Sequence, residues 1–107
     1  MKIAVVSSNG VDVDLHLGKG YSLYIYDYEN EDLTFVEHRE VDIDLESQHQ
    51  GSKVIKACKD CDVIIAAQFG FKSKVTADKL NIRLVSDEGS VDEVLKSYIE
   101  HYNFMKN

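Results

Sequence analysis

Two stretches of the chain lack the polar–apolar alternation of a half-buried strand: Ile3-Ala4-Val5-Val6, and Val63-Ile64-Ile65-Ala66-Ala67 running on to Gly70. Each reads as a strand covered on both faces. Two such strands in one small chain belong side by side at the centre of a sheet, with helices on both sides. In open α/β sheets the ligand crevice lies beyond the carboxyl ends of the central strands. The loops to watch are therefore Ser7 to Gly20 and Gln68 to Lys74.

The remaining pattern fills in the elements around that pair. Tyr21 to Tyr28 alternates, with Tyr21, Leu23 and Ile25 on one face and Ser22, Tyr24, Tyr26 and Tyr28 on the other. Leu33 to Val41 returns with many polar positions, which suits a sheet edge. After the acidic connector Asp42 to Glu46, Ser47-Gln48-His49-Gln50 fits a capping box with Ser47 as N-cap. The helix it opens carries Gly51, Val54, Ile55 and Cys58 on one stripe. A short helix is predicted over Phe71 to Lys79 and a fifth strand over Ile82 to Ser86. A second capping box, Ser90 to Glu93, opens a helix with the stripe Val91, Val94, Leu95, Tyr98, Ile99 and Tyr102. The order βββαβαβα, with right-handed crossovers, predicts a sheet order 3-2-1-4-5 with strand 2 antiparallel. This is a three-layer α/β, ribonuclease H-like arrangement with helices on both faces, one domain spanning 1–107.

Composition narrows the partners. A formal net charge of -7 argues against nucleic acid, because neutralising phosphates needs a basic face. No apolar run approaches the roughly 18 residues of a membrane span. The chain opens almost directly on a strand, which leaves no room for a signal peptide, and two cysteines without such a signal point to reduced thiols in the cytoplasm.

The chemistry follows from which residue types reach the crevice. A metal-dependent nuclease needs carboxylates on the central strands, and the first strand has none while the fourth ends in Gln68. Asp12 and Asp14 read as exposed turn acids. Cys58-Lys59-Asp60-Cys61 closes a helix, where the negative end of the dipole opposes a thiolate. Cys58 lies on the apolar stripe and reads as core; Cys61 stays open between core and metal ligand. His16, between glycine-bearing turns in the loop leaving a central strand, is the foremost ligand candidate. His49 is a weaker one, and His38 and His101 read as solvated.

At these residues the chain resembles the dinitrogenase iron-molybdenum cofactor biosynthesis family. The likeness is carried by the N-terminal strand, Val11-Asp12-Val13-Asp14-Leu15-His16-Leu17-Gly18-Lys19, and the Tyr-rich strand that follows. It continues through Asp60-Cys61-Asp62-Val63-Ile64-Ile65, Phe69-Gly70-Phe71 and Ala77-Asp78-Lys79-Leu80-Asn81-Ile82, to about Tyr102. Leu17 stands where the family usually has phenylalanine. The resemblance implies a ribonuclease H-like fold without nuclease activity, binding or carrying an iron-molybdenum or related metal-sulfur cluster in cofactor biosynthesis. A cluster donor or acceptor protein is the implied partner. His16 and Gly18 match the family's loop histidine and glycine. Lys19, Gly20, Gly70 and Lys72 join them as a cluster-binding set, with His16 and Cys61 as metal ligands. The expectation is a non-catalytic binding protein. The rival readings are a metal-free interaction or regulatory domain using Tyr24, Tyr26 and Tyr28, and a weak metal-dependent hydrolase built on Asp12, Asp14 and His16.

Overall fold

The computed structural model describes residues 1–47 and 50–106. Its centre is the strand pair β1 (Lys2–Val6) and β5 (Val63–Ala66), paired in parallel with Ile3 opposite Val63 and Val5 opposite Ile65. Both are buried on both faces because they are apolar at every position from Ile3 to Val6 and from Val63 to Ala66. Each valine or isoleucine among them, fully withdrawn from water, contributes roughly 1.5–3 kcal/mol. Outside β1 lie β3 (Ser22–Glu29) and β4 (Asp32–Glu40), successively antiparallel; outside β5 lies β6 (Arg83–Ser86), parallel. The sheet order is β4-β3-β1-β5-β6.

The two-residue period of the strands divides the core in two. Ala4, Val6, Leu23, Ile25, Ile64 and Ala66 face α1 (Gly51–Ala57) and α2 (Phe71–Lys79). Ile3, Val5, Val63 and Ile65 face α3 (Val91–Lys106), which buries Val91, Val94, Leu95 and Tyr98. Ser90 caps α3 by accepting the Glu93 N–H at 3.1 Å. The edge strand β4 is exposed along most of its length, and its register with β3 slips between Ile25 and Tyr26, so that Val36 is an extra residue. A bulge and a run of charges both discourage pairing of an edge with another chain.

Two features depart from the expectation. Helix α1 starts at Gly51 with Gln50 as its N-cap, not Ser47, and the Gln50 side chain does not cap it. The Gln50 amide instead turns back on the connector: its Oε1 accepts the Asp44 N–H at 3.0 Å and its Nε2 donates to the Asp44 carbonyl. Gln48 and His49 lie outside the described residues. The second departure is a separate two-stranded sheet, β2 (Asp12–Val13) with β7 (Gly89–Ser90), joined to α3 by the Val91 N–H donating to the Val11 carbonyl at 2.7 Å. Two-residue strands carry no periodicity to read. Among the described residues no helix is long and apolar enough to cross a membrane.

Candidate functional site

The loop leaving β1 is wound by its own polar side chains. Ser7 is buried and its Oγ accepts the Gly10 N–H at 2.9 Å, while Asn9 Oδ1 accepts from Val11 and Asp12. Gly10 has φ +77°, and a Cβ there would meet the Tyr24 ring at 2.8 Å, so glycine is required twice over. Asp14 accepts the Ser8 N–H at 2.8 Å and also its hydroxyl proton. Asp14 is thus a loop brace, and Asp12 sits in β2.

Beyond Asp14 the chain runs beside the carboxyl end of β5. The Ala67 N–H donates to the Leu15 carbonyl at 3.0 Å, and the Leu17 N–H to the Gln68 carbonyl at 2.8 Å. Leu17 is fully buried in the core, so the residue standing in place of the family's phenylalanine anchors the loop from below. His16, exposed between these anchors, opens a 3-10 turn over Leu17–Lys19: its Nδ1 accepts the Gly18 N–H at 3.0 Å. A ring nitrogen that accepts a hydrogen bond carries no proton, so in the neutral ring the proton sits on Nε2 and points outward.

Opposite His16 is the start of α2. Gly70 is its N-cap and supplies no side-chain cap; the first helical bond runs from the Lys74 N–H to the Gly70 carbonyl at 3.2 Å. The N–H groups of Phe71, Lys72 and Ser73 therefore have no intrahelical acceptor. The start of α1 closes the third side. Gly51 lies so near α2 that a Cβ would stand 2.2 Å from Ser73 Oγ. The result is a crevice of about 570 Å³ lined by His16, Gly18, Gly51, Ser52, Gly70, Phe71, Lys72, Ser73 and Thr76. Among the described residues no aspartate or glutamate lines it, in a chain of net charge -7. Free amides at a helix start, Lys72 and the His16 Nε2–H make it receptive to an anion.

The structure gathers His16, Gly18, Gly70 and Lys72 here and disperses the rest of the expected set. Lys19 turns away: its ammonium donates to the carbonyls of Leu45 and, at 2.9 Å, Ser47. Gly20 is a packing residue, whose Cβ would come within 3.1 Å of both Val6 and Val54. Cys61 lies before β5 and His16 beyond its far end, so they stand roughly 20 Å apart at about 3.3 Å per residue. Cys61 is buried, its thiol 3.8 Å from Asp60. Cys58 is fully buried; donation to the Cys61 sulfur and the apolar surroundings hold its thiol well above the usual range, which keeps it protonated and unreactive. Lys74 is paired with Asp78 at 2.8 Å. Among the described residues no three His, Cys, Asp or Glu side chains come together as a metal site. The donor set fits a preformed anionic cluster held by hydrogen bonds better than a bare ion held by ligands.

Sequence reasoning gave no role to Phe71, Ser52 or Ser73. Phe71 is 82% exposed at the mouth of the crevice, where a large apolar ring contributes nothing to the core. An aromatic at the first position of a helix, directly after the glycine at its start, is the signal that marks it.

Fold and crevice together define a small α/β domain with an anion-receptive pocket at the carboxyl ends of its central strands. The chain belongs to the dinitrogenase iron-molybdenum cofactor family, whose model matches residues 1–101. No curated protein matches it. Among solved structures it is similar to PH0822, with a TM-score of 0.78 and 21% identity over 94% of this chain and 92% of that one. It is also similar to a dinitrogenase candidate (mj0327) of Methanocaldococcus jannaschii, at TM-score 0.65 and 16% identity over 94% and 89%. A third is a NifB candidate of Thermotoga (TM1290) assigned to the DUF35 family, at 0.62 and 21% over 92% and 87%. At these identities the likeness shows the fold.

Proposed function

We propose that this protein binds and carries an anionic metal-sulfur cluster of the iron-molybdenum type, without catalysis of its own, and hands it between a donor and an acceptor protein in the cytoplasm. The observation that carries the reading is the carboxylate-free crevice, where the His16 Nε2–H, the first amides of α2 and Lys72 converge. The family's link to the iron-molybdenum cofactor supplies the cargo, and the ribonuclease H-like label belongs to the same reading. The cluster is substrate here. Hydrogen bonds to its sulfides from fixed donors would orient it, Lys72 would offset its charge, and Phe71 would cover its apolar flank. An absence of strong ligands suits a carrier that must release what it holds.

Anaerobic titration with extracted iron-molybdenum cofactor, followed by visible absorption and gel filtration, tests this. Co-migration of molybdenum with the protein, lost when Gly70→Asp places a carboxylate in the crevice, is the expected result. Equal retention by both proteins would remove the crevice from the account.

One observation favours a second reading. Tyr24, Tyr26 and Phe35 form an aromatic group on the outer hairpin, with the two tyrosines half-buried against the core under α3 and Phe35 52% exposed, its ring 5.4 Å from that of Tyr26. A metal-free interaction domain would use this face.

A further inference from the structure

On the other side of the sheet, two cavities of about 420 and 270 Å³ adjoin between α3 and β6, sharing Arg83, Tyr98 and His101. We propose that this groove is a second binding site, for an aromatic phosphate monoester. The proposal is independent of the crevice, which lies on the opposite face of the sheet, against α1 and α2.

The chain has two arginines. Arg39 is saturated by Asp60 and Glu37. Among the described residues Arg83 has no carboxylate within ion-pair distance. Two carboxylates also line the groove, Asp62, which accepts the Lys2 N–H at 2.8 Å, and Asp87, which accepts the Glu88 N–H at 2.9 Å, and neither pairs with Arg83. An unpaired guanidinium beside an imidazole, in an acidic protein, selects an oxyanion, and the guanidinium fork matches phosphate. The Tyr98 ring is buried while its hydroxyl makes no hydrogen bond among the described residues, leaving it available to a ligand.

The walls select the rest of the molecule. Tyr102 and Met105 continue the groove toward the end of α3, over a floor that includes Val63. Lys106 sits 5.7 Å over the Tyr102 ring. The last carbonyls of a helix carry partial negative charge, so the phosphate seats at Arg83 and His101 and a flat apolar body lies against Tyr102 and Met105. The larger cavity alone falls in the range of roughly 300–1,000 Å³ usual for small-molecule sites.

Amide NMR titration with phenyl phosphate, and separately with phenol and inorganic phosphate, tests the site. Phenyl phosphate should shift the amides of Arg83, Tyr98 and His101 saturably, at least tenfold more tightly than either half-molecule. Arg83→Gln, a change at an exposed position, should weaken it at least tenfold with the rest of the spectrum unchanged. Tyr98→Phe, which keeps the buried ring, should weaken it as well. Inorganic phosphate binding as tightly as phenyl phosphate, shifts confined to the surface lysines, or unchanged affinity in Arg83→Gln would each overturn the proposal.

Discussion

His16 has two ring nitrogens, and the fold uses one of them. Because Nδ1 caps the 3-10 turn, truncation removes both a structural acceptor and the outward donor. His16→Ala should cost about 0.5–1 kcal/mol, the low end for an exposed cap, and weaken cofactor binding at least tenfold. His16→Asn separates the two roles, since a short amide oxygen can accept the Gly18 N–H while the imidazole donor is gone. It should recover the stability and leave the binding weak. Urea melts and anaerobic titration of the three proteins read both quantities. Full cofactor affinity in His16→Asn would show that the ring is there for the turn alone. His16 as a candidate was legible from its position between two glycines on a loop leaving a central strand. Which nitrogen faces out was not, because that depends on where the Gly18 amide comes to rest.

At the scale of elements, the crevice exists because two helix starts approach within the width of a glycine. Gly51 was legible only as part of an apolar stripe; the surface it meets, Ser73, belongs to an element twenty residues on. Gly51→Ala would bring a methyl within 2.2 Å of Ser73 Oγ but 3.4 Å from its Cβ. The hydroxyl is thus the whole clash. Overpacking of this kind costs about 1–3 kcal/mol, and Ser73→Ala should be close to neutral. The double variant should recover most of the loss, a coupling of about 1 kcal/mol or more. Additive losses in chemical denaturation would mean that α1 and α2 are spaced by something other than this contact. The same contrast runs through the fold. The continuous apolar runs and the α3 stripe announce themselves because one face repeats several times. The β2–β7 pair and the start of α1 do not, being fixed by a few hydrogen bonds with no repeating pattern behind them.

Across the whole molecule, an ion-pair group centred on Arg39 and Asp60 joins the outer hairpin to the sheet's centre. Arg39 on β4 donates from both terminal nitrogens to the Asp60 carboxylate at 2.7 Å, and to the Ala57 carbonyl at the end of α1 at 2.9 Å. Lys2 of β1 approaches the same carboxylate at 3.3 Å. The Arg39 guanidinium holds the Asp60 carboxyl well below its ordinary value of 3.8, and in turn Arg39 is held protonated at any accessible pH. A bidentate pair is stronger than a typical surface one, but Asp60 is 43% exposed and solvent screens it, so about 1 kcal/mol is the expected worth. The sign follows from the direction of the shift: a carboxyl whose folded value is depressed adds stability above its unfolded value and loses it as pH falls toward the folded one. Asp60→Asn should therefore be less stable than wild type by about 1 kcal/mol at pH 7. The gap should narrow once the pH drops below the ordinary 3.8, as the unfolded chain takes up a proton at Asp60 that the folded chain resists. Urea unfolding of both proteins at pH 7, 4 and 2.5 measures it. A gap that stays constant across that range would mean that Asp60 acts through packing and hydrogen bonding that an amide supplies less well, and not through its charge.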